Sequence, residues 1–235
     1  MKAGTGIYTS SEAAALLHER PETVRRWAYG YRRTRMGGRT SHPPLIHTEL
    51  PSIEGQDALT FVELIELLYI RAFERVGVSW KLIREAAGVA ARMFSTRHPF
   101  ALRQVYVDPR SVYGSVREQD GSESLVELVG HGQHAMPQLV KPFLEQIDFG
   151  ANDVAQRWWP LGRDGGVVVD PLVAFGLPVV AAVGMRVHSL ASAYDAEVPA
   201  FGNHGAVGRV AWTYDIQPEH VRTALQFREW LRKAA

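Results

Sequence analysis

The sequence predicts an α+β, mainly helical fold. It comprises an N-terminal winged helix-turn-helix, a central β-hairpin region, and a C-terminal domain with a small β-hairpin plus three helices. Three observations carry this. Two short helices with a tight turn between them fill residues 8–30, and two longer helices with regular apolar spacing fill 59–94. Short apolar or alternating runs bounded by Asp, Pro and Gly stand at 104–116 and 167–180, which is strand-and-turn chemistry. The expected boundaries are 1–95, 96–160 and 161–235.

Each element has a local reason. Thr9 or Ser10 can cap a first helix whose opening turn carries Glu12, where the helix dipole favours negative charge. Ala13, Ala14, Leu16 and Leu17 give that helix a small apolar face that lets a second helix approach closely. Pro21 suits the first turn of the second helix, because the N–H it lacks would have no partner there. Val24 and Trp27 then share its inner face, leaving Glu22, Thr23, Arg25 and Arg26 on other faces. From Tyr31 to Pro51 the glycines and prolines predict a turn or wing leading into an extended piece. The spacing predicts a helix over Leu59–Val76, with Thr60 as cap and Glu63 closing a capping box, stopped by Gly77. Ser79 caps the next, Trp80–Phe94, with Leu82, Ile83, Ala86, Ala90 and Met93 as its apolar face.

Beyond His98-Pro99-Phe100 the pattern changes. Gln104–Val107 and Ser111–Val116, joined by Asp108-Pro109-Arg110, read as a hairpin. Leu125–Gly130 fits a strand or a short helix, Gly132–Leu144 reads as helical from Met136, and Ile147–Trp158 as linker or short strand. Val167–Val169 and Val179-Val180 are strands, followed by helices at His188–Tyr194, Gly205–Tyr214 and Gln217–Leu231. Val221, Ala224, Leu225 and Phe227 form the apolar face of the last one.

Composition narrows the class. Hydrophobic content of 46% and charged content of 22% are those of a soluble globular protein. The net charge is only +1, but Arg20, Arg25, Arg26, Arg32, Arg33, Arg35 and Arg39 cluster, a local basic patch in a balanced chain. The absence of cysteine excludes disulfides, thiol catalysis and Cys-type zinc sites. The histidines are scattered, and only His131 and His134 stand close enough to suggest paired ligands, so no metal or other cofactor is expected. Gly162–Gly166 is glycine-rich but lacks the Lys-Ser/Thr of a phosphate loop. No Ser/His/Asp arrangement points to catalysis, so the expectation is a non-enzyme. No apolar run suits a signal peptide or a membrane span, so the expectation is a cytoplasmic protein.

Tyr-Thr-x-x-Glu-Ala-Ala from Tyr8, followed by Thr23-Val24-Arg25-Arg26-Trp27, resembles the first two helices of MerR-family and excisionase-type winged helix-turn-helix domains. Ala72–Arg84 extends the resemblance to the third and fourth helices of such domains. Asp170-Pro171, Gly176-Leu177-Pro178, Gly184-Met185-Arg186 and Pro218–Leu225 are similar, in this order, to the domain-of-unknown-function family numbered 433. Met185 replaces that family's usual Thr, and the connection Glu197–Gly208 is longer and glycine-rich.

The combination resembles VapB-like antitoxins of type II toxin–antitoxin pairs. That resemblance implies a homodimer that binds operator DNA and silences a PIN-like ribonuclease toxin. The alternative is a MerR-like transcriptional regulator with no toxin partner. Thr23, Arg25 and Arg26 are expected in the major groove, with Arg20 and Glu22 also among the expected DNA-binding residues. Arg32, Arg33, Arg35 and Arg39 are expected on phosphates from a loop past that helix. Phe227 and Trp230 extend beyond the core face of the last helix and are the expected association residues.

Overall fold

In the computed structural model the described residues are 6–35, 38–51, 57–75, 77–103, 105–108, 111–117, 123–130 and 145–233. Among them six helices and several small sheets make a mixed α and β architecture. The chain divides into two compact units. One takes in residues 8–145 and 149–155, the other residues 1–7, 146–148 and 156–235.

In the N-terminal unit, β1 (Ile7–Thr9) pairs with β4 (Ala58–Thr60), and each strand runs directly into a helix. Thr9 caps α1 (Ser10–Leu17) through a complete capping box: its hydroxyl accepts from the Glu12 N–H, and the Glu12 carboxylate accepts from the Thr9 N–H at 2.8 Å. His18 closes α1 in the left-handed region at φ 51°, and Pro21 opens α2 (Pro21–Tyr29) at its first position. Val24, Trp27 and Ala28 are buried on one face of α2, as the spacing predicts.

Past α2, Gly30 sits at φ +72°, and a side chain there would run into the His42 carbonyl oxygen, so glycine is required. The chain then forms an antiparallel hairpin of β2 (Tyr31–Arg35) and β3 (Gly38–His42), with Tyr31 opposite His42 and Thr34 opposite Arg39. This corrects the expected loop: Arg32, Arg33 and Arg35 lie on one strand and Arg39 on its partner. The physical reason is that ladder pairing from Tyr31–His42 to Arg35–Gly38 gives the backbone N–H and C=O groups partners that a loop would leave to water.

Helix α3 (Phe61–Arg75) is the axis of this unit, buried from Glu63 to Ile70 without a break and again at Phe73. Two carboxylates therefore lie in the core, and both are matched. Glu63 accepts from the N–H groups of Thr60 at 2.7 Å and Glu49 at 2.5 Å, completing the expected capping box. Glu66 faces His98 Nδ1 at 2.9 Å and accepts from the Phe100 N–H. Helix α4 (Trp80–Met93) is capped by Ser79 and buries Ile83, Ala86 and Ala90. Met93, expected on that face, is the last residue of the helix and is exposed. Strands β5 (Val105–Asp108), β6 (Ser111–Arg117) and β7 (Glu123–Gly130) follow as an antiparallel sheet, which makes 125–130 a strand. The helix expected from Met136 lies outside the described residues, as do His131 and His134.

Strands β8 (Ile147–Phe149) and β9 (Ala155–Trp158) pair where the chain passes from one unit to the other. In the C-terminal unit, β10 (Val167–Val168), β11 (Val179–Val180) and β12 (Met185–Arg186) form a three-stranded antiparallel sheet. Two helices follow, α5 (Val187–Thr213) and α6 (Pro218–Arg232). The expected glycine-rich connection between two helices is instead helical almost throughout, interrupted only at Gly202, φ 64°. Leu190, Ala206, Val210, Val221, Ala224 and Phe227 make an aliphatic and aromatic core with the three strands.

Candidate nucleic-acid interface

The geometry of α2 follows from what it buries. Val24 at 0% and Trp27 at 4% exposure anchor it, and the Tyr29 hydroxyl donates to the Ala58 carbonyl at 2.9 Å. Burial, with Asp57 and Glu63 nearby, pushes the Tyr29 phenol up to about 12, so it stays a neutral donor. With its inner face fixed, α2 presents Glu22, Arg25 and Arg26 to solvent and leaves Thr23 half-buried. Arg20 is the exposed N-cap residue and makes no side-chain cap.

The cations on this face are not equivalent. Arg25 is tied to Asp57 at 2.7 Å, a hydrogen bond that raises its pKa further. Its guanidinium therefore already has an anionic partner within the fold. Arg26 has none among the described residues, and its guanidinium lies 5.3 Å from the Tyr31 ring centroid. Tyr31 in turn stacks on His42, with ring centroids 4.4 Å apart and planes 14° from parallel. The hairpin thus builds a platform of two flat rings with an arginine over it. Arg32 is exposed on the same strand.

Beside the platform lies a cleft of about 440 Å³, lined by Thr23, Arg26, Tyr31, His42, Trp80 and Arg84, with Glu74 also on its wall. Trp80 lies 5.9 Å from Trp27, ring to ring, and so joins α4 to the buried face of α2. The Arg84 Nε–H is buried and meets no acceptor among the described residues. Partial burial, with Glu19 adding to it, holds the Glu74 carboxyl above its usual range and weakens its claim as a counter-charge. Two arginines, a hydroxyl and stacked rings around one recess suit an anionic ligand with flat faces, the description of a nucleic-acid strand.

Underneath, His98 fixes α3. Its Nδ1 stands 2.9 Å from Glu66 and its Nε2 3.1 Å from Glu49. Burial alone would lower the imidazole's pKa, but the two carboxylates outweigh it and push it up to about 9, so His98 is a cation. Burial, the largest influence on Glu66, raises its carboxyl, and His98 opposes that.

The structure therefore gathers Thr23, Arg26 and Arg84 around one recess, keeps Arg20, Glu22 and Arg32 in solvent, and draws Arg25 aside to Asp57. Tyr31, His42 and Arg84 escaped the sequence reading. The segment holding the first two, with Tyr31-Arg32-Arg33-Thr34-Arg35 ahead of Gly38, carries no apolar alternation that would mark it as a strand. Trp80 is half-buried on the cleft wall, whereas Tyr69 is fully buried. Phe227 corrects the association reading. Its ring is completely buried within its own unit, 5.1 Å from Trp230, because it continues the Val221–Ala224 face by one turn. Only Trp230, half-buried, retains any surface.

Residues 6–87 match the domain family described as "Putative DNA-binding HTH domain". A protein of Mycobacterium tuberculosis named "Putative antitoxin VapB45" is 30% identical over 229 residues, covering 93% of this chain and 92% of the relative. The crystal structure of Rv2018 from Mycobacterium tuberculosis shares the fold at TM-score 0.60 and 24% identity, over 93% of this chain and 96% of that one.

Proposed function

The chain belongs to the family of the mycobacterial antitoxin VapB45, and from that membership and the geometry of α2 we propose that it is a DNA-binding antitoxin of a type II toxin–antitoxin pair. In this reading it is a non-enzymatic, cytoplasmic regulator. It acts as a homodimer, binds the operator of its own genes through a MerR-like N-terminal domain, and neutralises a PIN-like ribonuclease. No helix among the described residues is long and apolar enough to cross a membrane.

The observation that carries the DNA-binding part is the solvent face of α2. Arg26 stands there without an acidic partner among the described residues, over rings supplied by the hairpin, next to a recess holding a second unpaired arginine donor. In the groove of a duplex, Arg26 and Thr23 would reach base edges while Arg32 and its neighbours on the hairpin hold the backbone.

The protein-partner part is supported by the loop after β10. The Asp170 carboxylate, 4% exposed and held by Arg157 at 2.7 Å, accepts from the Leu172 N–H at 2.8 Å. This fixed turn leaves Leu172 and Phe175 at 76% and 78% exposure. Ala174 and Phe175 both adopt positive φ, an arrangement that costs free energy in side-chain-bearing residues and calls for a reason. Two large apolar groups held out on a strained loop offer a ready anchor for a protein surface.

Co-expression with the adjacent gene, followed by co-purification and titration of the upstream DNA, tests the reading. A stable complex that suppresses ribonuclease activity and still binds the DNA is expected. A neighbour that never co-purifies, with DNA binding intact, would leave the regulator-without-toxin alternative standing.

A further inference from the structure

The turn between α1 and α2 is built twice. In the N-terminal unit, His18 takes a left-handed φ of 51°, and Pro21 opens the next helix after N-cap Arg20 at φ −79°, ψ 143°. In the C-terminal unit, Asp215 takes φ 52°, and Pro218 opens α6 after N-cap Gln217 at φ −75°, ψ 146°. The hydrogen bonds of the two turns coincide. Glu19 N–H donates to Ala14 at 2.9 Å and Ile216 N–H to Ala211 at 3.0 Å. His18 N–H donates to Ala15 and Asp215 N–H to Trp212, both at 3.3 Å, while Thr23 N–H to Arg20 and His220 N–H to Gln217 measure 2.9 and 3.0 Å.

The residues repeat too, at a constant shift of 197 positions (215 − 18). Pro21-Glu22-Thr23-Val24-Arg25 returns as Pro218-Glu219-His220-Val221-Arg222. Val24 and Val221 are each at 0% exposure, and Ala13 and Ala14 correspond to Val210 and Ala211, all buried. A buried valine one turn into the second helix and small residues late in the first are what set the crossing of two such helices.

We propose that residues 203–232, the arm of α5 after Gly202 together with α6, form a second helix-turn-helix that binds duplex DNA. Charge on its surface points that way. No acidic residue occurs from Val198 to Tyr214, while Asn203, His204, Arg209 and Thr213 are exposed there. The Arg209 guanidinium lies 4.6 Å from the Trp212 ring and 5.8 Å from that of Phe201, which holds the cation in place without neutralising it. On α6 the arginines divide by position. Arg228 and Arg232, towards the far end, are paired with Asp195 and Glu229. Arg222, at the end that matches the N-terminal motif, is exposed and has no ion-pair partner among the described residues. In the N-terminal copy the equivalent Arg25 is spent on Asp57, so the C-terminal copy leaves free the cation that the first one ties up. Arg209 is assigned to backbone phosphate and Arg222, with half-buried His220, to the groove.

The test uses the full chain and a labelled duplex of about 40 base pairs from upstream of its own reading frame, roughly four helical turns. An unrelated duplex of equal length and a single-stranded RNA copy of the sequence serve for comparison. Arg209→Glu with Arg222→Glu should weaken duplex binding about tenfold or more and reduce the slope of log affinity against log salt by about 1, for the phosphate contact of Arg209. Because the chain has no cysteine, Gln226→Cys, on the exposed face of α6, gives a unique thiol for a tethered iron chelate, which should cut the duplex at discrete positions. If the double charge reversal unfolds the unit, the single variants carry the test: Arg209→Gln with a slope lower by about 1, and Arg222→Gln with weaker, less sequence-selective binding. Unchanged affinity and slope in a folded variant, absence of tethered cleavage, or preference for the RNA would each overturn the proposal. Arg26→Ala is run in parallel. A loss there with none at Arg222 would leave the N-terminal interface standing without a second one, and the reverse would leave the second alone.

Discussion

The N-terminal unit buries Glu63 and Glu66 and holds a cationic His98 between two carboxylates, whereas in the C-terminal unit Asp170 is the one buried charged group among the described residues. Both units hold the same turn, at His18 and at Asp215. One braces it on a long helix whose core carries charges, the other on three short strands and an aliphatic interior. The geometry of a helix-turn-helix therefore belongs to its turn and its few contact residues, while the support beneath is free to vary. The difference is one of risk. A buried ion pair contributes little net stability when intact, yet costs much when one partner is lost.

His98→Ala should break this comparison most sharply. It leaves Glu66, 1% exposed, without its counter-charge, and a loss of about 3–5 kcal/mol in the N-terminal unit is expected. Calorimetry should show that transition shift down while the C-terminal one stays, since the two compact units need not unfold together. Arg157→Ala, beside Asp170, should cost less, because the Arg157 side chain is 52% exposed and water screens that pair, whereas His98 is 13% exposed. The pH response separates the units as well. His98 has a folded pKa raised to about 9, above an unfolded value of about 6.5. Its stabilisation is fully present below about 6.5 and is lost as pH rises through about 9. A melting temperature of the N-terminal unit that is flat from neutral pH to beyond 9 would show that His98 is not held as a cation.

On the DNA side, Arg26→Ala should cost about 1–3 kcal/mol of specific binding and relax sequence preference, as for the loss of one base-reading contact. Neutralising two of Arg32, Arg33, Arg35 and Arg39 should weaken binding to every sequence alike and reduce the salt slope by about 2. Titrations at several salt concentrations separate the two: one changes preference, the other changes slope.

A smaller effect sharpens the comparison of the helix starts. Thr9 caps α1 with its side chain, whereas Gln217 makes no side-chain cap on α6. Thr9→Ala should cost about 1 kcal/mol, and Gln217→Asp should add a similar amount to the C-terminal unit, both read as thermal shifts. A destabilising Gln217→Asp would mean that the exposed N-terminus of α6 rejects a carboxylate, against the helix dipole.

Much of this was legible in the sequence because it is local. Thr9 with Glu12, Thr60 with Glu63, and Ser79 before Trp80 announce their helix starts through short-range chemistry. Pro21, Val24 and Trp27 announce the inner face of α2 through spacing alone. The rest depends on residues brought together from a distance. Asp57 lies 32 positions from Arg25, and so does Glu66 from His98, so neither pairing has a sequence signature. The kink at Gly202 was read as a loop because Pro199, Gly202, Gly205 and Gly208 each lower helix propensity, and the packing of α5 on α6 outweighed them. The repeat of Pro-Glu-x-Val-Arg was visible in the letters. It gained meaning only when His18 and Asp215 were seen in the same left-handed turn.

The smallest expected effect bears on the difference between the two motifs themselves. Arg25 and Arg222 are equivalent, yet Arg25 is held by Asp57 and Arg222 is not. The Arg25 side chain is 59% exposed, so solvent screens the pair and the fold gains little from it. Asp57→Asn should therefore leave the melting temperature within error of the native chain. It also removes a negative charge from the proposed DNA-facing side and frees a guanidinium that, as in the C-terminal copy, has no acid to satisfy it. Duplex affinity should rise a few-fold, and the salt slope should steepen by about 1, one further phosphate being neutralised. Weaker binding by Asp57→Asn would carry the opposite lesson: Asp57 would be holding Arg25 in the posture that DNA requires, and the two motifs would differ in how they present one arginine, not in whether they use it.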